Sequence, residues 1–540
     1  MLTAMRYILL LITLGFAVTF TSCRDDFEFE NSTGGLEFSK DTVYLDTVFT
    51  NIGSSTYTLK VYNRSNKDIK IPSIALGEGE NSKYRLMVDG VPGKVFNDVQ
   101  LLAKDSMFVF VETTIDYSEY ANNSTTFLYT DNIQFTSTTG TQKVELVTLV
   151  QDAVFIKPNR PLPTDMKETL TINGTPSDIQ GHELSTADEL HWTNQKPYVV
   201  YGYALVPNGK TLTVDAGARV HFHAESGLLI DNDGELKVNG TASSTDALEN
   251  EVIFEGDRLE PDFADITGQW LGVVIMSNNN NAINHLTLKN ATVGLLVQPI
   301  NLLATEVDLN NPITSPKLDI TNSQIYNCAN FGILARAAVI SGNNVVANNA
   351  GQAAIGMTLG GVYNFKQCTF SNYFNSYNQV PVAINDYADV NTSEGVKRIA
   401  TDLTANFDNC IMYGSGNLGV SLERVSTDEE GYTYKTSFNH CFIKMVDYSN
   451  QLKTLPLYPF DGNDTNQAFY DEKTREILAK NTTTYKPEFV DPSINNLNIS
   501  ATSAAVANGD AAVAGQVPVD LNGQSRTGSP DIGAYQHLVE

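Results

Sequence analysis

The sequence predicts an all-β protein with two architectures in series, and three observations predict it. Short runs rich in Val, Ile, Thr, Tyr and Phe alternate with Asn and Gly turns, and no long, capped amphipathic helix interrupts them. Hydrophobic residues make up 42% of the 540 positions, enough to fill a large core. A six-residue pattern recurs through the second half, the mark of a stacked repeat. Charged residues are only 18%, and the net charge of −27 argues against nucleic acid as a partner, since an acidic surface repels phosphate backbones.

The N-terminus reads as an address. Arg6 supplies a positive start, Tyr7 to Phe20 an apolar stretch too short for a membrane span, and the small residues Thr21 and Ser22 precede Cys23. Phe20-Thr21-Ser22-Cys23 resembles a bacterial lipobox, with Phe20 where Leu is usual. The resemblance implies a lipoprotein signal peptide over residues 1–22, cleavage before Cys23 and lipidation of its thiol. Several acyl chains at about 0.8 kcal/mol per buried methylene give firm anchoring. Residues 23–35 form an acidic tether. Its Arg24-Asp25-Asp26-Phe27-Glu28-Phe29-Glu30 is similar to the surface-export signal of Bacteroidetes lipoproteins. That implies attachment to the outer membrane, facing the cell exterior.

Residues 36–155 alternate with period two: Tyr57, Leu59 and Val61, then Val109 and Val111, then Val144, Leu146 and Val150. Turns at Asn51 to Ser54, Asn63 to Asp68 and Thr139-Gly140 space the strands as in a sandwich. Tyr57 to Arg64, followed by Ile69-Lys70-Ile71, resembles the immunoglobulin-like domains related to major sperm protein and Hydin. Those are mostly spacers or interaction modules, and the segment carries no catalytic cluster.

Pro158 to Pro163 is a stiff boundary. Beyond it, over residues 156–500, short strands and Gly/Asn turns repeat. Six segments share one template: LKNATV from Leu288, ITNSQI from Ile320, ISGNNV from Ile340, FKQCTF from Phe365, FDNCIM from Phe407 and FNHCFI from Phe438. Their starts lie 32, 20, 25, 42 and 31 residues apart, as expected of rungs with loops of variable length. The fourth template position is Ala291, Ser323, Asn343, Cys368, Cys410 and Cys441, small residues expected to stack at an inward corner. Packing explains these cysteines best, because a buried free cysteine behaves as a small hydrophobe. A Cys410–Cys441 disulfide is the alternative. Cys328 falls outside this frame, and close Cys pairs of the zinc-binding kind are absent from the sequence.

VPNGKTLTVDAGARVHF from Val206, LKNATVGLLV and LDITNSQIYNCANFGI resemble right-handed parallel β-helix proteins, which implies three short parallel strands per turn and stacks of Asn or aliphatic side chains. The turns Asn343-Asn344 and Asn348-Asn349 suit such stacks. Asp520 to Arg526 with Asp531 to Tyr535 is similar to the ending of choice-of-anchor Q proteins, extracellular β-helices. Residues 501–540 are therefore expected to cap the last rung, with Arg526 paired to Asp520 or Asp531.

β-Helix folds host pectate lyases and polygalacturonases as well as inert adhesins, so the fold alone decides nothing. The Gly-His-Gly and paired aspartates of the hydrolases are missing from the repeat. The excursion between Phe365 and Phe407 holds the enzyme candidates Asp386, Asp389, Glu394 and Arg398, beside Tyr387 and Lys397. A solvated loop of mixed charge is the plainer reading. Tyr373, Phe374 and Tyr377 are candidates for stacking on sugar rings, with packing against the repeat as the plainer reading. His221 and His223 share a strand face but lack a third metal ligand. Asp231 to Gly234 starts like a calcium loop without its later glutamate. No metal or cofactor site is expected, with calcium left open. The expected role is adhesion or glycan binding without catalysis, with the membrane, polysaccharide or other surface proteins as partners. The alternatives are a polysaccharide lyase or glycoside hydrolase, and a structural scaffold.

Overall fold

The structure, a computed structural model, describes residues 28–120, 124–160, 162, 164–425, 431–446, 451–458, 468–470 and 486–537. The lipobox and Cys23 lie outside the described residues. The chain divides into two compact units, Met1–Asp152 and Ala153–Glu540.

In the first unit, alternation becomes two sheets. One has six strands, including Thr42–Phe49, Ile69–Leu76, Val95–Leu101, Thr126–Thr136 and Thr141–Gln151. The other has five, including Tyr57–Tyr62, Tyr84–Val88 and Ser106–Thr113. Leu59, Val61, Val109, Val111, Val144, Leu146 and Val150 share one core drawn from both sheets, and Tyr57 packs against it half-buried. Successive side chains point to opposite faces of a strand, so every second residue enters that core. Tyr84 is buried there, and its hydroxyl bonds the Tyr129 carbonyl and Thr148 Oγ1, each at 3.0 Å.

In the second unit, strands pair in parallel with the third strand further along, giving three strand ladders. The first runs Tyr198–Val200, Arg219–Phe222, Val252–Gly256 and Leu286–Lys289. The second includes Thr175–Glu183, Tyr203–Val206, Gly227–Ile230 and Gly272–Ile275. The third includes His191–Trp192, Thr211–Asp215, Glu235–Asn239 and Asn280–Asn284. Register places like residues above like. Val220, Phe254, Leu288, Ile325, Ala347, Phe370, Met412 and Ile443 follow one another across the first ladder. All belong to one core. Phe365, Phe407 and Phe438 stack in the third ladder, with centroids 5.5 and 5.4 Å apart.

The repeated template turns out to be a corner. Ile320, Gly342, Phe365, Phe407 and Phe438 are in register, so the rung predicted from Ile340 starts two residues later. The residue two on from each, Asn322, Asn344, Gln367, Asn409 and His440, has φ between 48° and 54°. One left-handed residue redirects the chain from the third ladder to the first, and Asn is among the side chains that tolerate it. Asn344 Nδ2 donates to Asn322 Oδ1 at 2.8 Å. The segment from Leu288 belongs to a second corner. There Asn290, Asn327 and Asn349 have φ of 66°, 55° and 55°, and each precedes a small residue: Ala291, Cys328 and Ala350. Cys328 therefore fits the repeat after all, one corner away from the other cysteines.

Cys328, Cys368, Cys410 and Cys441 are buried free thiols, so the Cys410–Cys441 disulfide does not form. Cys410 Sγ donates to the carbonyl of Asp408 at 3.3 Å, and Cys441 Sγ to that of Phe407 at 3.2 Å. Burial pushes the Cys328 thiol up to about 12 and raises Cys368 and Cys410 well above the usual thiol range. These are packing residues.

The C-terminal segment does something other than the expected cap. Leu497, Ala534 and Tyr535 pack on Val346, while Ile499, Ala504, Ala505 and Ile532 pack on Ile411, Tyr413 and Phe442. It covers the outer face of the first ladder because the outward residues there are apolar. Nor does Arg526 form the expected ion pair. Its buried guanidinium donates to the carbonyls of Val517, Val519, Gly533 and Ala534. Asp520 accepts backbone N–H groups from Asn522, Gln524 and Gln536, and Asp531 those of Ala507 and His537.

Candidate functional site

The excursion after Phe365 folds as a hairpin, Tyr387–Thr392 paired with Gly395–Ala400. Alternation sends Val390 and Thr392 inward and leaves Asp389 facing Arg398 directly across the pair. Arg398 holds Asp389 through two hydrogen bonds of 2.8 and 2.9 Å and lies 4.6 Å from the Tyr387 ring centroid. The guanidinium keeps Asp389 below the usual carboxylate range. At the turn, Glu394 and Lys397 pair with each other, and the ammonium lowers the Glu394 pKa likewise. Asp386 turns the other way and is fully buried, accepting the Val425 N–H at 2.9 Å. Its second oxygen lies 3.8 Å from Arg424 Nε. The four candidate groups thus split into three separate pairs rather than one acid–base cluster. Arg424, the true neighbour of Asp386, lies 38 positions along the chain, and only strand register brings the two together.

The histidines and the calcium-like loop have structural partners. His221 stands 3.6 Å from Glu255, which also pairs with Lys289 at 2.7 Å. His223 bonds Asp257 at 2.7 Å and stacks on Tyr201. Asp231 accepts the N–H groups of Asn173 and Asn232. Among the described residues, no three His, Cys, Asp or Glu side chains gather to hold a metal ion.

The three aromatic candidates also separate. Tyr377 is fully exposed at the loop tip, while Tyr373 and Phe374 are half-buried. Tyr373 helps wall a groove of about 310 Å³ with Tyr413, Gly414, Ser415, Lys444, Lys486, Glu488 and Phe489. Phe489 meets Tyr373 and Tyr413 edge-on, with centroids 6.4 and 6.5 Å apart. Lys444 Nζ bonds the Gly414 carbonyl at 2.9 Å and sits 5.0 Å from the Tyr413 ring centroid. Burial pushes the Tyr373 hydroxyl up to about 12, with Glu488 adding to the shift. The groove therefore offers aromatic walls, two ammonium groups and one carboxylate. Sequence reasoning found Tyr373 alone. Tyr413 and Lys444 carry a signal, as outward positions on strands whose alternate residues are core. Phe489 and Lys486 carry none, because the C-terminal segment reaches this place only by folding back.

No family model matches the chain, and no curated protein matches it. Solved structures that match include the periplasmic chaperone SfaE, at 13% identity over 22% of this chain and 58% of that one, with a TM-score of 0.15. A family 123 glycoside hydrolase from Clostridium perfringens matches at 9% identity over 22% of this chain and 30% of that one, with a TM-score of 0.15. The VesB protease of Vibrio cholerae matches at 11% identity over 22% and 31%, with a TM-score of 0.14. The chain spans less than two thirds of each, and likeness at these scores bears on neither fold nor function.

Proposed function

We propose that this is a lipid-anchored surface protein of the bacterial outer membrane that binds an extended acidic glycan without cleaving it. In this reading the first unit is an immunoglobulin-like spacer. The three parallel ladders are a right-handed β-helix that presents the groove. The observation that carries the reading is the groove itself, where a half-buried tyrosine predicted to meet sugar is joined by Phe489 and by two lysines against one carboxylate. Aromatic walls suit the apolar faces of a pyranose, and ammonium groups suit a uronate carboxylate. The net charge of −27 repels a polyanion overall, so in this reading attraction comes from these two lysines locally. The pairing of Asp389 with Arg398 and of Glu394 with Lys397 supports binding over catalysis, because each acid is already engaged by its neighbour.

The test is retardation of the soluble chain, starting at Arg24, in gels containing polygalacturonate or a neutral glucan. Retardation by the polyanion, lost in Tyr373→Ala and in the Lys444→Ala/Lys486→Ala double variant, is the expected result. Equal mobility in all gels would overturn the proposal.

A further inference from the structure

Strand Ser106–Thr113 of the first unit breaks the usual pattern on its outer face. Its Met107, Val109 and Val111 point into the sandwich core, so alternation sends Phe108 and Phe110 outward. A solvated sheet face ordinarily carries polar residues at such positions. Phe108 is 48% exposed, and Met87, 41% exposed, stands directly opposite Phe110 on the neighbouring strand. Exposed apolar side chains gathered in one patch mark a contact surface.

The two rings wall an open groove of about 550 Å³ together with Phe29, Leu102, Asp89 and Asp105. Phe108 and Phe110 lie side by side, with centroids 6.1 Å apart and planes 21° from parallel. Asp89 is fixed at the rim by its turn. Val88 and Val91 pair across a two-residue connection, Asp89-Gly90, whose φ angles are 49° and 76°. Two left-handed residues make a type I′ turn, for which Asp-Gly is a preferred sequence. Asp105 ends the turn that starts at Leu102 and accepts the Ser106 N–H through Oδ1 at 2.7 Å. Both aspartates are exposed, and among the described residues neither is ion-paired. No Lys, Arg or His is among the described residues that wall the groove.

We propose that this groove binds a small organic cation, an ammonium carried on an apolar body. The quadrupole of a phenyl ring attracts a cation to its face. The chain shows the contact with a charge of its own: Lys60 Nζ, opposite Phe108 on the other neighbouring strand, lies 5.2 Å from that ring's centroid. Asp89 and Asp105 supply the complementary charge in the groove. Its volume lies within the ~300–1,000 Å³ of small-molecule sites. This activity goes beyond the reading of the first unit as a spacer and uses no residue of the Tyr373 groove. Its failure would leave retardation by polygalacturonate untouched.

The experiment is saturation-transfer NMR on the chain from Arg24. The probe is benzyltrimethylammonium, and the control is phenylpropionate, which carries the same ring with the opposite charge. The expected result is saturable transfer to the phenyl protons of the cation, at least tenfold above that to the anion. Transfer should fall at least fivefold in Phe108→Ala and in the Asp89→Asn/Asp105→Asn double variant, and stay at the parent level in Tyr373→Ala. Asn also suits a type I′ turn, and its Oδ1 can still accept the Ser106 N–H, so loss of transfer in the double variant would not be a folding defect. Absence of transfer, transfer to the anion as strong as to the cation, transfer that survives either groove variant, or its loss in Tyr373→Ala would overturn the proposal.

Discussion

Asn409 joins two features of the second unit, and its replacement separates them. It holds the left-handed corner at φ 53°. Its side chain also clamps the C-terminal segment, donating to the Asp510 carbonyl at 3.0 Å and accepting the Asp510 N–H at 2.8 Å. Asn409→Ala meets the left-handed penalty of about 1–2 kcal/mol. It also loses two hydrogen bonds of about 1 kcal/mol each, for a total of about 3–4 kcal/mol. Asn409→Gly loses the same bonds but fits the corner. Its extra freedom when unfolded costs ~0.5–1 kcal/mol, so it should be about 0.5–1 kcal/mol more stable than the alanine variant. Both tryptophans of the chain, Trp192 and Trp270, are buried in the second unit, so their fluorescence follows that unit alone. At a slope near 3 kcal/mol per molar urea, the alanine variant should unfold about 1 M earlier than the parent. Equal midpoints for alanine and glycine would refute the corner argument. A parent-like midpoint for both would refute the clamp as well.

Three further outcomes rest on packing and burial in the second unit. Phe407→Ala removes the middle of the ring stack and should cost about 3–5 kcal/mol in the same urea titration; a loss below 1 kcal/mol would mean the stack packs loosely. A thiol reagent should leave Cys328, Cys368, Cys410 and Cys441 unmodified in the native chain from Arg24 and titrate all four in urea; fast modification of the folded chain would contradict their burial. His182 lies 3.0 Å from both Glu168 and Glu189. Burial opposes its protonation, but the two carboxylates outweigh burial and raise its pKa. Burial likewise opposes the lowering of Glu189, which backbone N–H groups and His182 still bring down to about 2. A raised histidine stabilises fully below its unfolded value of about 6.5, and that contribution is lost as pH climbs through the higher folded value. A lowered glutamate stabilises above its unfolded value of about 4.3 and loses that contribution as pH falls toward the folded one. Hydrogen-exchange protection in Thr169–Glu183, taken relative to the intrinsic rate at each pH, should therefore be greatest between about pH 5 and 6, and His182→Gln should remove the alkaline limb.

The sequence made much of the scaffold legible because burial in sheets writes itself as alternation. Leu59 and Val61, or Val109 and Val111, declare a core face without any partner strand in view. The stacked repeat was visible for the same reason, since Phe365, Phe407 and Phe438 each need an identical slot. Frame was harder. Gly342 occupies the Phe365 position, so a template anchored on large apolar residues slipped by two. Two corners were legible, since the Asn343-Asn344 and Asn348-Asn349 turns hold the left-handed Asn344 and Asn349, whereas Asn322 and Asn409 stand singly and look in sequence like any polar residue on a strand. The site was least legible. Tyr373 lies in its own rung, but Phe489 comes from a segment that folds back over the first ladder, and long-range packing leaves no local pattern. Asp386 and Arg424 illustrate the same limit.

The measurement that goes most directly to the central claim is isothermal titration of the chain from Arg24 with a galacturonate hexamer. A saturable heat at one site, weakened at least tenfold by Tyr373→Ala and followed by a flat baseline, is the predicted result. Silence would contradict binding, and a sustained heat of turnover after saturation would show a catalyst in place of a binding protein.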